Sequence, residues 1–144
     1  IEAFRIVNDG SHKLVVVGQN RTNMNGYKDI IFTGHISRQT LNALYQGAAA
    51  LLYPSLSEGF GFPILEAFFY KIPVVTSNTS AMKEIAEDAA ILVDPMSVES
   101  IKNGIIATSS VTDAILNRGK SLLKKYSWEK AAAQTVKIYE GALK

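Results

Sequence analysis

The sequence predicts an α/β fold: a doubly wound parallel sheet flanked by helices. Five short runs are apolar almost continuously rather than alternating, which marks strands buried on both faces and hence a parallel sheet. Segments of helical periodicity separate these runs, and alternation of strand and helix is the signature of this class. After residue 95 the strand-like runs stop and only helical patterns follow.

Each element has its own signal. Ile1, Phe4 and Val7 recur at helical spacing, and Asn8-Asp9-Gly10 reads as a stop, so the chain opens inside a helix. "KLVVVG" (13–18) is the first strand run and "DIIFTG" (29–34) the second; a short helix or a loop joins them. "SRQTLNALYQGA" (37–48) reads as a helix, "AAALLYPS" (48–55) as the third strand and "PILEAFFYK" (63–71) as a helix. "IPVVTSN" (72–78) is the fourth strand, "SAMKEIAED" (80–88) a helix and "AAILVDP" (89–95) the fifth strand. Residues 97–110, 111–126 and 127–144 read as three closing helices. Ser127 is placed to cap the last, on which Trp128, Ala132, Thr135 and Tyr139 share a face. Because the first strand run follows a helix, a strand is expected before residue 1. The chain is therefore expected to belong to a longer protein.

Composition sets the outer limits. A chain of 144 residues is expected to form one domain, residues 1–144, large enough to fold without staples. Hydrophobic residues make up 47% and charged residues 19%, which is ordinary for a globular protein. The absence of cysteine excludes disulfides and thiolate metal sites and fits a reducing, cytoplasmic setting. With 15 basic and 13 acidic residues the chain is too balanced to predict nucleic-acid binding. No apolar run approaches the ~20 residues of a membrane helix, and no signal peptide is visible.

The stretch "SEGFGFPILEA" (57–67) carries the functional signal. It leaves the third strand at the carboxyl edge, where open parallel sheets bind ligands. Gly59 and Gly61 allow close backbone approach or a positive φ. Pro63 suits the first helical position, and a helix start offers free N–H groups to phosphate. Glu58 and Glu66 repel phosphate but accept hydrogen bonds from hydroxyls. A ligand with phosphates in the middle and hydroxylated groups on both sides meets these demands, and a nucleotide sugar is such a ligand. The plainer alternatives are a solvated Glu58, a Glu66 that complements the helix dipole, and core roles for Phe60, Phe62, Phe68 and Phe69.

"PSLSEGFGFPILEAFFYKIPVVTSNTSAMKEIAEDAAILVDP", with "FTGHIS", "LNALYQGA" and "YSWEKAA" around it, resembles a known family. It is similar to the donor-binding, C-terminal half of the retaining, nucleotide-sugar-dependent "group 1" glycosyltransferases. These have the GT-B fold, whose halves are Rossmann-like. The shared core is a glutamate, seven residues and a second glutamate, here Glu58 and Glu66. The resemblance covers nearly the whole chain.

The resemblance implies transfer of a hexose from a nucleotide diphosphate sugar to a hydroxyl acceptor, with retention. It implies that Glu58 is the catalytic-site residue that reads the sugar hydroxyls, helped by backbone around Gly59, Phe60 and Gly61. Glu66 would hold the ribose, Phe62 would present backbone to the diphosphate, and His35 and Ile36 would lie along the base. No metal and no cofactor beyond the donor substrate are implied. The implied partners are the nucleotide sugar and the enzyme's own N-terminal acceptor domain, and peripheral membrane association of the parent is compatible with it. The family's basic pair for the diphosphate lies upstream of residue 1, and the fragment alone is expected to be inactive.

The remaining charged residues have plainer expectations. Arg21, Lys28 and Arg38 are expected to be solvated surface charges, His12 a surface residue and Ser80 a helix cap. Asp94 is expected in a turn, and Glu84 matches the family's glutamate after the fourth strand. Lys71 stands where the family often has a helix-ending glycine. Two other classes stand beside this reading: a non-catalytic nucleotide- or sugar-binding module, since fold does not fix function, and a sugar-nucleotide epimerase of similar architecture.

Overall fold

The structure, a computed structural model, describes residues 1–19 and 27–142. The elements in order are α1 (Glu2–Val7), β1 (Leu14–Val16), β2 (Ile30–Phe32), α2 (Arg38–Gly47), β3 (Leu51–Tyr53), α3 (Phe62–Tyr70), β4 (Val74–Ser77), α4 (Ser80–Ala86), β5 (Ile91–Val93), α5 (Val98–Ala107), α6 (Asp113–Leu122) and α7 (Trp128–Ala142). All five strand runs form strands, each shorter than its run. Most of the connection between β1 and β2, with Arg21, lies outside the described residues.

Every strand ladder is parallel, as continuous apolar runs require. The strands do not make one hydrogen-bonded sheet, however. β1 pairs with β2, and β3, β4 and β5 form a second ladder in that order. The chain passes from one ladder to the other through α2. Pairing partners depend on contacts remote in sequence, and the runs themselves do not encode them.

The core lies where α3, α4 and α6 close over the second ladder. Ile64, Met82 and Val74 are almost completely buried, with Ala67, Phe68, Ile85 and Leu122 beside them, while Val75 is buried on the α5 side of the ladder. Burying a side chain such as Phe68 contributes about 1.5–3 kcal/mol. Of the phenylalanines around the loop only Phe68 is core; Phe62 and Phe69 are exposed on the other side of α3. Two glycines let helices approach closely. A Cβ on Gly104 of α5 would stand 2.5 Å from Val93 Cγ1, and one on Gly119 of α6 would stand 2.6 Å from Phe68 Cδ1.

Serine hydroxyls cap three helices; of the two caps expected from the sequence, Ser127 forms and Ser80 does not. Ser37 and Ser97 accept the Thr40 and Ser100 N–H groups at 3.1 Å each, and Ser127 accepts that of Lys130 at 3.2 Å. Ser80 is not a side-chain cap. It follows the capping residue Thr79, has φ 55°, and turns its hydroxyl to the Glu58 carbonyl at 3.4 Å. Asp94 is in the expected turn, its carboxylate accepting the Met96 N–H at 2.9 Å. Lys28 and His12 are exposed, as expected. No helix among the described residues is long and apolar enough to cross a membrane.

Lys71 takes the left-handed conformation that glycine would supply, with φ 55° and ψ 46°. The Ile72 N–H reaches the Ala67 carbonyl and the Lys71 N–H reaches that of Phe68, both at 3.2 Å, which is the Schellman pattern. The Lys71 ammonium also donates to Asn117 at 2.8 Å. Left-handed backbone costs a non-glycine residue ~1–2 kcal/mol, partly offset here by that exposed bond and by glycine's freer unfolded chain. Lys71→Gly is therefore expected to raise stability by about 0.5–1 kcal/mol. Thermal melting checks this, and a lower midpoint would contradict it.

Candidate functional site

The site begins where β3 ends. Residues 54–61 leave the carboxyl end of β3 and run into α3, and two hydroxyls of the neighbouring strand β4 hold them. Thr76 Oγ1 donates to the Tyr53 carbonyl at 3.0 Å, and Ser77 Oγ donates to the Ser55 carbonyl at 2.5 Å. Both side chains are fully buried, so these bonds have no competition from water. Gly61, at φ 114° and ψ 44°, makes the turn into α3. Phe62 is the first helical residue and Pro63 the second, one place later than expected. Proline at either position lacks an N–H that would have had no helical partner.

Glu58 is held by its own strand and loop. Ser55 Oγ donates to Glu58 Oε1 at 2.9 Å. Hydrogen bonds from Tyr53 and Ser55 hold the Glu58 carboxyl below its ordinary range. The same contact acts on the other partner: burial, then the hydrogen bond to Glu58, pushes the Tyr53 phenol up to about 12.

Glu66, one turn into α3, is held by a different element. Arg38 Nη1 donates to Oε1 at 2.5 Å, and the Tyr45 hydroxyl donates to Oε2 at 2.8 Å. Arg38 and Tyr45 are seven residues apart on α2 and so share a face two turns apart. Arg38 is the exposed surface charge expected, and it has a partner besides. Its guanidinium is exposed to solvent, yet it is paired, because the α2–α3 packing brings it to the carboxylate. The Glu66 bond, then its charge, raises the Arg38 pKa. Burial, then the bond to Glu66, raises the Tyr45 phenol well above its ordinary range, so it remains a proton donor.

Glu66, Phe62, Arg38 and Asn42 line a recess of about 370 Å³ between α2 and α3; Glu58 is outside it. Phe60 and Phe62 touch with ring centres 4.8 Å apart, and Phe62 stacks on Trp128 at 6.3 Å. Gly59 is exposed. His35 and Ile36 follow the carboxyl end of β2, on the other ladder. The Gly18 N–H bonds the Gly34 carbonyl there at 3.1 Å, and Arg38 follows two residues after Ile36. Glu84 is exposed on α4. Tyr45, Tyr53 and Ser55 had no expected role, and Arg38 was expected only as a solvated surface charge, without its pairing to Glu66. The one sequence signal for Tyr45 and Arg38 was their heptad spacing along α2.

With this geometry in view, similarity to known proteins becomes specific. The profile of a family described as "Glycosyl transferases group 1" matches residues 1–134. The chain belongs to this family. O-antigen chain mannosyltransferase B of Escherichia coli is 36% identical over 114 residues, 77% of this chain and 30% of that protein. The group 1 chain therefore spans about 30% of the length of that curated relative. The C-terminal domain of a glycosyl transferase group 1 family protein from Francisella tularensis is 30% identical. It superposes with a TM-score of 0.58 over 68% of this chain and 53% of that one. A glycosyltransferase from Rickettsia africae, 20% identical, shares the fold at a TM-score of 0.82 over 99% of this chain and 43% of its own.

The Glu58 contacts have a measurable consequence. A carboxyl with a depressed pKa keeps its charge to lower pH. Its contribution to stability is complete above the ordinary carboxylate range and is lost as pH falls through the depressed value. Ser55→Ala and Tyr53→Phe are each expected to move the Glu58 pKa upward. Carboxyl-carbon NMR titration reads this directly, and an unmoved value in both variants would show that these bonds are not the cause.

Proposed function

We propose that this chain is the donor-binding, C-terminal half of a retaining glycosyltransferase. The whole enzyme would move a hexose from a nucleotide diphosphate sugar to a hydroxyl acceptor without a metal ion. The observation that carries this reading is the pair of oriented carboxylates, Glu58 and Glu66, on either side of the Gly61–Phe62 helix start. Each has its own donors, and each keeps lone pairs for ligand hydroxyls. Glu58, with backbone at Gly59, Phe60 and Gly61, reads the sugar; Glu66 reads the ribose. Backbone at Phe62 faces the diphosphate, and His35 and Ile36 lie along the base. The mannosyltransferase named among the relatives favours a hexose of that kind.

In the reaction the leaving diphosphate takes the acceptor proton on the face where the new bond forms. The protein contributes positioning and stabilisation of leaving charge. The cations for that task come from outside this chain. Among the described residues lining the recess Arg38 is the only cation, and Glu66 already holds it. Two further observations support a longer enzyme. The ladders β2–β1 and β3–β4–β5 fit the doubly wound order 3-2-1-4-5-6 if its first strand is supplied from upstream. Trp128, Val136, Ile138 and Tyr139 of α7 are exposed, which suits a surface that another domain covers.

Calorimetry on the full-length enzyme separates the two carboxylates. Glu66→Ala is expected to weaken binding of the free nucleoside diphosphate by about 10–100-fold, the loss of hydrogen bonds to a charged acceptor. Glu58→Ala is expected to leave that affinity nearly intact and lower turnover. Equal losses of affinity would refute the division of roles.

The 144-residue chain alone is expected to be inactive and to bind donor on the order of 10²–10⁴-fold more weakly than the full-length enzyme, for want of two charge-assisted bonds to phosphate. Parallel titrations with nucleotide and nucleotide sugar check this. Equal affinity, or sugar transfer by the short chain, would overturn it.

A further inference from the structure

Glu66 could not by itself present a fixed face to a diol. A glutamate has three rotatable bonds before its carboxylate, and the Arg38 that holds Oε1 is itself a long side chain, rich in rotamers and exposed. Tyr45 is different. It is buried to 7% exposure, and its ring stacks on that of Tyr70 with centres 5.5 Å apart and planes at 7°. Its hydroxyl therefore comes from a rigid body on another helix and meets Glu66 Oε2 at 2.8 Å. Tyr45 takes one lone pair of the carboxylate and leaves others free toward the recess.

We infer that Tyr45 is a positioning residue for ribose recognition: its hydroxyl fixes the Glu66 carboxylate in the orientation that accepts the vicinal diol of the donor nucleotide. This rests on the reading of Glu66 as the ribose acceptor. Tyr45 does not touch the ligand; it acts through Glu66. A phenol suits the task because it stays protonated at every working pH and donates to the carboxylate throughout. The bland alternative is a bond that only ties α2 to α3. The two differ in one respect: a tie between helices carries no information about ligand hydroxyls.

The test uses the full-length enzyme, a ribonucleoside diphosphate and its 2′,3′-dideoxy analogue, with affinities measured by calorimetry. Tyr45→Phe keeps the stacked ring and removes one hydroxyl. It is expected to weaken the ribonucleotide about 5–10-fold and leave the dideoxy analogue unchanged, so that the preference for ribose contracts. Adding Tyr45→Phe to Glu66→Ala is expected to change neither affinity further. Equal weakening of both nucleotides, no weakening of either, or an additive loss in the double variant would overturn the role of Tyr45. Failure of the underlying reading looks different: Glu66→Ala would then leave the ribose preference intact, and the inference would fall with it.

Discussion

The site depends on two buried hydroxyls at the end of one strand. Thr76 and Ser77 close β4, and their side chains bond the carbonyls of Tyr53 and Ser55 in the neighbouring chain segment. A strand end normally frays into its loop. Here the last residues of β3 and the first of the loop are tied to the best-buried strand of the fold. Ser55 is thereby fixed, and its hydroxyl in turn orients Glu58. The loop is short, its backbone is anchored at Ser55, and Gly61 makes the turn that α3 needs. The position of α3, and with it Glu66, follows from the same anchorage and from Ile64, Ala67 and Phe68 packing into the core.

The two carboxylates are alike in chemistry and different in environment. Glu58 takes its donors from its own strand and loop. Glu66 takes its donors from α2, a separate element that reaches it only through helix packing. Each is a hydrogen-bond acceptor with part of its capacity already used. That geometry fits hydroxyl recognition better than a role in proton transfer, which calls for a carboxyl pKa raised toward neutrality. The Glu58 carboxyl is shifted the other way.

Several features face outward without a described partner. The sheet is divided into two ladders, and α7 carries aromatic and aliphatic side chains into solvent. Phe62 joins that surface to the site, because it lines the recess beside Glu66 and also stacks on Trp128 at the start of α7. An occupant of the α7 face would therefore sit within one aromatic contact of the proposed ribose acceptor.

Local signals determined much of this protein. Continuous apolar runs located all five strands and their parallel sense. Ser127 before the last helical pattern located the cap of α7. The glycine, proline and glutamate spacing of residues 57–67 located the candidate site. Each of these rests on interactions within a few residues, or on a periodicity that burial imposes, so each is written in the chain. The tertiary structure alone decided which strands pair, that Lys71 bears a left-handed backbone, and that Ser80 turns toward Glu58 instead of capping α4. It also decided the partners of Glu66. Arg38 and Tyr45 lie 28 and 21 residues away in the chain. Their spacing puts them on one face of α2 but says nothing about what that face meets. Only the packing of α2 on α3 does, because an ion pair and a hydrogen bond exist only at contact distance.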